Sequence, residues 1–158
     1  MKKYILSCCS TADLPADQFA RRGISYACFH YDLDGQEHLD DLGKSMSFEH
    51  FYQAMADGAK TRTSQVNVAE FTEYFEPFLK AGRDILHLRL SSGISGVINS
   101  AMAARTVLLE KYPDRTIYIV DSLAASSGFG LLMDKLADLR DEGMSIEALY
   151  QWTLDNRL

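Results

Sequence analysis

Two periodicities alternate along this chain, and their alternation constrains the fold more than any other feature. Four short apolar runs are bounded by polar residues: "KYILSC" (3–8), "ISYACFHY" (24–31), "DILHLRL" (84–90) and "TIYIV" (116–120). Runs of this length and composition read as buried strands. The stretches between them repeat with a period near 3.6. Phe71, Tyr74, Phe75, Phe78 and Leu79 fall on one helix face. Asn67, with Glu70 three residues later, forms a capping-box pattern that opens this helix. Ser47 is placed to cap a shorter helix carrying Phe48, Phe51, Tyr52 and Met55. A further helix follows Gly96 and ends near Tyr112–Pro113, and another runs from about Ala125 to Arg140. Gly143 breaks the pattern and Ser145 starts a last helix. Strands alternating with helices imply an α/β fold of Rossmann-like type, with a mainly parallel sheet and helices on both faces.

At 158 residues and 47% hydrophobic content, the chain can bury one ordinary core, so one domain is expected over 1–158. A net charge of −6 with scattered Lys and Arg disfavours electrostatic nucleic-acid binding. No run approaches the roughly 18 apolar residues of a membrane span. The start, "MKKYILSC", superficially suggests a leader, but only Tyr4, Ile5 and Leu6 separate Lys3 from Ser7. A signal peptide needs about 7–15 apolar residues there. The expectation is a cytoplasmic protein whose cysteines, Cys8, Cys9 and Cys28, are reduced thiols. The chain stops at "TLDNRL", inside or just after a helix.

Four polar turns follow or adjoin strand ends: "SCCSTADLP" (7–15), "TRTSQVN" (61–67), "LSSGISG" (90–96) and "VDSLAASSGFG" (120–130). Open parallel sheets bind ligands beyond the carboxyl ends of their strands. Helix N-termini and Ser or Thr hydroxyls suit an anion, and glycines admit close backbone approach. The same residues are also ordinary caps and turn formers, so some of these hydroxyls serve the backbone alone.

Several chemistries are absent. "SGISGV" lacks the Gly-x-Ser-x-Gly order of a hydrolase elbow, so Ser95 is not placed as a nucleophile. There is no phosphate-binding loop and no spaced dinucleotide fingerprint. The adjacent Cys8 and Cys9 match neither a redox pair nor zinc spacing; one is expected in the core and Cys9 is a weaker site candidate. His30, His38, His50 and His87 share no ligand spacing and are expected on the surface or on edge strands. No metal or other cofactor is expected. His87 and Arg89 alternate on one strand face, which is expected to meet solvent or a partner surface.

The four turns, in order and spacing, resemble the DegV family of bacterial lipid-binding proteins. "STADLP" (10–15) is similar to that family's opening turn and "TSQ" (63–65) to its Thr-Ser-Gln motif. "SSGISGVINSA" (91–101) is the most specific element, and "VDSLAASSGFG" is the fourth. The resemblance implies a long-chain fatty acid held between two α/β domains, of which this chain would be the N-terminal one. The family's C-terminal domain would be absent from it. It also implies that the carboxylate is bound by Thr63 or Ser64 and by Ser91 or Ser92, with Gly93 giving a close N–H. Ser10, Ser122 and Cys9 are weaker candidates. The best-understood members present the fatty acid to a separate fatty acid kinase, which makes an acyl phosphate. The protein would then be a carrier and not an enzyme. In the family an aspartate usually precedes the opening serine, where this chain has Cys9. The competing reading of the same turns is an enzyme or binder for a small phosphorylated metabolite. The lack of Lys or Arg inside three of them disfavours a dianion, with Arg62 the nearby exception.

Overall fold

The computed structural model describes residues 4–157. Residues 1–3, which include the first residue of the first expected strand and the basic start, and Leu158 lie outside the described residues.

Strand β1 (Tyr4–Cys9) is followed by a single 3-10 turn at Ser10–Ala12 and by helix α1 (Ala16–Arg22). Next come β2 (Ile24–Ala27), β3 (His30–Leu33), β4 (Gln36–Leu39), α2 (Phe48–Ala56) and β5 (Thr61–Ser64). The second half reads α3 (Val68–Lys80), β6 (Asp84–Arg89), α4 (Val97–Lys111), β7 (Ile117–Asp121), α5 (Ser126–Asp141) and α6 (Ile146–Asn156). Four strands form a wholly parallel sheet in the order β2-β1-β6-β7.

Strand alternation divides the core into two layers. Tyr4, Leu6, Cys8, Leu86, Leu88 and Val120 pack against Phe129 and Met133 of α5 and Leu149 of α6. Cys9, Ile85 and Ile117 point the other way, against Phe71 and Phe75 of α3 and Ala101 and Leu108 of α4. A parallel sheet covered on both faces needs near-continuous apolar strands, and these have them. The caps expected at Ser47, Asn67 and Ser145 all form. Asn67 and Glu70 complete the capping box at 3.1 and 2.8 Å.

Two expectations are corrected. The run 24–31 is not one strand. It divides at Cys28–Phe29 into β2, in the parallel sheet, and β3, the centre of a separate antiparallel sheet ordered β4-β3-β5. The β3–β4 hairpin turns on Asp34 and Gly35, both at positive φ (52° and 88°), which matches a two-residue primed turn. The second correction concerns His87 and Arg89, which meet neither solvent nor an open surface. Both are 0% exposed: the His87 ring packs edge-on against Phe71 and Phe75 of α3, and Arg89 pairs with Asp121. His30 is likewise nearly buried, on the central strand of the small sheet.

A groove at the carboxyl ends of the strands

Three of the four turns converge. A groove of about 730 Å³ opens where β1 and β6 end, between the small sheet and α2. The turn after β1 contributes Thr11 and Asp13, and the turn after β6 contributes Leu90, Ile94, Ser95 and Gly96. Thr63, Ser64 and Gln65 enter from the end of β5. Phe29, His30 and Tyr31 form one wall, and Phe48, Phe51 and Tyr52 of α2 stand on the groove's side as well. No residue of α2 is fully buried, and Phe48 and Tyr52 stay 59% and 65% exposed. Their apolar surface is available to a ligand.

Hydrogen bonds show how each turn is held. Ser95 donates its hydroxyl to Gln65 Oε1 at 3.0 Å, tying the β5 turn to the β6 turn. Asp121, at the end of β7, accepts the Ser92 N–H at 3.2 Å and the Leu123 N–H at 3.1 Å. Its other oxygen lies 2.8 Å from the buried Arg89 guanidinium. Burial pushes the Asp121 carboxyl up, but these hydrogen bonds and the Arg89 charge outweigh it and hold it below the usual range. Gly93 donates its N–H to Ser91 Oγ at 3.2 Å.

The candidates therefore separate. Thr63 and Ser64 line the groove. Ser91, Ser92 and Gly93 shape the adjoining turn and are not among its wall residues. Ser10 is fully buried and accepts the Phe29 N–H at 3.1 Å, which fixes the opening turn to the small sheet. Ser122 is sealed within its own turn, bonded to Ala124. Cys8 and Cys9 are both in the core. Burial pushes the Cys9 thiol up to about 12, against the pull of Arg89. Arg62 belongs to a second, open depression with Asp32, Asp34 and Lys60, away from the groove. Thr11, at the groove wall, escaped notice because its neighbour Ser10 carries the more usual turn signal.

One buried constellation has the distances of a nucleophile and base. Ser7 Oγ lies 2.8 Å from His87 Nδ1 and 2.8 Å from the Tyr74 hydroxyl, and Cys9 Sγ lies 3.7 Å from His87 Nε2. Ser7, His87 and Cys9 are 0% exposed, and the imidazole stacks edge-on against Phe71 and Phe75. Burial, with the Arg89 charge, drags its pKa to about 3, so it stays neutral. Without substrate access this network is a polar seam in the core, its groups satisfying one another. Among the described residues, no group of three or more His, Cys, Asp or Glu could hold a metal ion. None of their helices is long and apolar enough to cross a membrane.

Comparison with known proteins places the fold. The DegV family, described as uncharacterised proteins, matches residues 9–157. A DegV domain-containing protein of Clostridium perfringens is 40% identical over 99% of this chain and 54% of its own length. A stearic acid-binding protein from Eubacterium ventriosum superposes with a TM-score of 0.86 at 25% identity, over 95% of this chain and 52% of its own. A DegV family protein from Thermus thermophilus, described by its fatty acid binding, gives 0.83 at 28% identity, over 98% and 53%. The Streptococcus pneumoniae Fatty Acid Kinase (Fak) B3 protein loaded with linoleic acid shares the fold, at 0.79 and 24% identity over 98% and 54%. The chain spans about half the length of each of these relatives. With a family match across nearly every residue and a groove where such a sheet binds ligands, the chain belongs to the DegV family.

Proposed function

We propose that this chain is the N-terminal half of a fatty-acid carrier, and that the groove holds part of a long acyl chain. The observation that carries the reading is the groove's composition. It has the size of a small-molecule site, roughly 300–1,000 Å³ by general experience, with largely apolar walls, a few neutral hydroxyls and three aspartates. Phe29, Leu39, Phe48, Phe51, Leu90 and Ile94 suit a hydrocarbon tail. Each buried methylene is worth about 0.8 kcal/mol, so the tail supplies most of the affinity. Thr63 and Ser64, with the adjoining Ser91, Ser92 and Gly93, receive the carboxylate. Fatty-acid binding by the Eubacterium and Thermus proteins supports a fatty acid as the ligand.

The carrier performs no chemistry itself. It presents the carboxylate to a fatty acid kinase, a role supported by the family resemblance and by the name of the Streptococcus protein. In the complete protein a second domain covers the groove, in keeping with relatives of about twice this length. A cytoplasmic location fits that partner. The walls carry Asp13, Asp40 and Asp41 and no Lys or Arg, which would repel a phosphorylated dianion far more than a single carboxylate.

Native mass spectrometry of the full-length native protein, purified without added lipid, tests the reading. The expected result is a ladder of bound masses spaced by acyl chain units. A bound sugar phosphate or nucleotide in its place would overturn it. Thr63→Ala or Ser92→Ala should weaken binding in a fluorescent fatty-acid displacement assay by about 1–3 kcal/mol, the range for an unmatched buried polar group or a lost hydrogen bond to a charged one. Unchanged affinity removes that residue from the head-group site.

A further inference from the structure

We propose that Thr11 is a head-group ligand of this groove, turning its hydroxyl toward an acyl carboxylate when one arrives; this rests on the fatty-acid reading. Thr11 lines the groove, yet its Oγ1 is shielded from solvent and has no hydrogen-bond partner. A buried hydroxyl without a partner is destabilising and uncommon. Its immediate surroundings offer no relief. The Phe29 N–H is taken by Ser10 Oγ, and the Asp13 N–H by the Ser10 carbonyl.

The backbone of this turn is held from below. Ala12 is fully buried, and a methyl group added at Gly130 of α5 would stand 2.3 Å from the Ala12 carbonyl oxygen. Asp13 closes the turn in the left-handed region at φ 51°. The backbone therefore has little room to bring Oγ1 to an acceptor. Rotation about Cα–Cβ has that freedom. Threonine's staggered wells lie 120° apart, and one step exchanges the hydroxyl with its methyl or hydrogen. On a groove wall, that exchange moves the donor from a site without an acceptor to the ligand's side.

Other donors on the wall and in the adjoining turn are already engaged. The Ser92 N–H goes to Asp121, the Gly93 N–H to Ser91, and the Ser95 hydroxyl to Gln65. Thr11 is a wall hydroxyl that is buried without a partner, so its own bonding improves when a carboxylate binds.

The test uses Thr11→Val, which keeps the shape and removes the hydroxyl, and Thr11→Ser, which keeps the hydroxyl, both in the full-length native protein. Calorimetric titration with palmitate and the melting temperature of ligand-free protein are read together. Thr11→Val should bind palmitate about tenfold weaker or more, the loss expected for a hydrogen bond to a charged group. Its ligand-free melting temperature should stay level or rise, because an unpartnered polar atom is gone. Thr11→Ser should keep most of the affinity. Unchanged palmitate affinity in Thr11→Val, with the wild type binding, would overturn the assignment and leave the fatty-acid reading intact. Weaker binding with a matching fall in ligand-free stability would make Thr11 purely structural. A wild type that does not bind palmitate would overturn both.

Discussion

Gly130→Ala separates helix propensity from packing. Gly130 sits inside α5, where alanine is normally the better residue by about 1 kcal/mol. Propensity alone therefore predicts a more stable protein. The structure predicts the reverse. The new Cβ would meet the Ala12 carbonyl oxygen at 2.3 Å and Leu14 Cδ2 at 3.1 Å. The first neighbour is backbone, so either α5 or the opening turn must move. Overpacking of this kind costs about 1–3 kcal/mol, and so close a backbone contact belongs at the upper end. With the propensity gain subtracted, a net loss of about 2 kcal/mol remains. For a chain of this size that lowers Tm by about 4–8 °C. Gly128, two residues earlier in the same helix, is the control. Its added Cβ would find only Ala124 Cβ, at 3.9 Å, so Gly128→Ala should be neutral or gain up to about 1 kcal/mol. Urea unfolding of both variants measures the difference. Equal effects, or a stabilised Gly130→Ala, would refute the claim that α5 presses on the opening turn.

Other outcomes follow from the buried charges and from the proposed covering domain. Because the His87 pKa is lowered to about 3 in the folded protein, the unfolded chain binds the extra proton first. Stability should be complete above about pH 6.5 and fall toward pH 3, by up to about 1.4 kcal/mol per pH unit; His87→Gln should lose that component, and an unchanged pH slope would refute it. Asp121→Asn leaves the Arg89 cation buried without its counter-charge and should cost about 3 kcal/mol or more by urea unfolding. A loss below about 1 kcal/mol would mean that the pair is not holding these turns together. A fragment of residues 1–158 should bind palmitate at least about tenfold more weakly than the full-length native protein, since two fewer buried methylenes already cost about 1.6 kcal/mol. Equal affinities would mean that this half contains the whole site.

How far the sequence discloses this fold depends on how local each signal is. Phe71, Phe75 and Leu79 lie one and two turns apart, so the face of α3 is legible, and the Asn67–Glu70 box marks its start. The small sheet is hidden because the start of β3 continues the apolar run of β2 through Phe29 to Tyr31, and only tertiary pairing divides them. The Asp34-Gly35 pair is a hairpin signal in its own right, and it marks what the apolar pattern hides. β5, "TRTS", has no buried residue and reads as a turn. His87 and Arg89 read as exposed because polar residues at alternate positions usually mark a wet face. Here that face is sealed by partners far away in sequence, Ser7 for one and Asp121 for the other. The groove's turns were legible as glycine and hydroxyl clusters. Whether each hydroxyl serves ligand or backbone was not, because that depends on which carboxylate or amide folds against it.

The sheet order has a consequence for synthesis. β1 emerges from the ribosome shortly before β2 and can pair with it almost at once, Leu6 opposite Ile24. Its other edge pairs with β6, Leu6 opposite Leu86, a segment made eighty residues later. At roughly 5–20 residues per second, that edge stays open for about 4–16 s on every nascent chain. Open strand edges invite pairing with foreign chains, and "YILSCC" offers no charge or proline to discourage it. Slow translation between β2 and β6 should therefore raise dependence on chaperones that shield nascent strands. Codon choice in that interval thus becomes part of what determines the yield of folded protein.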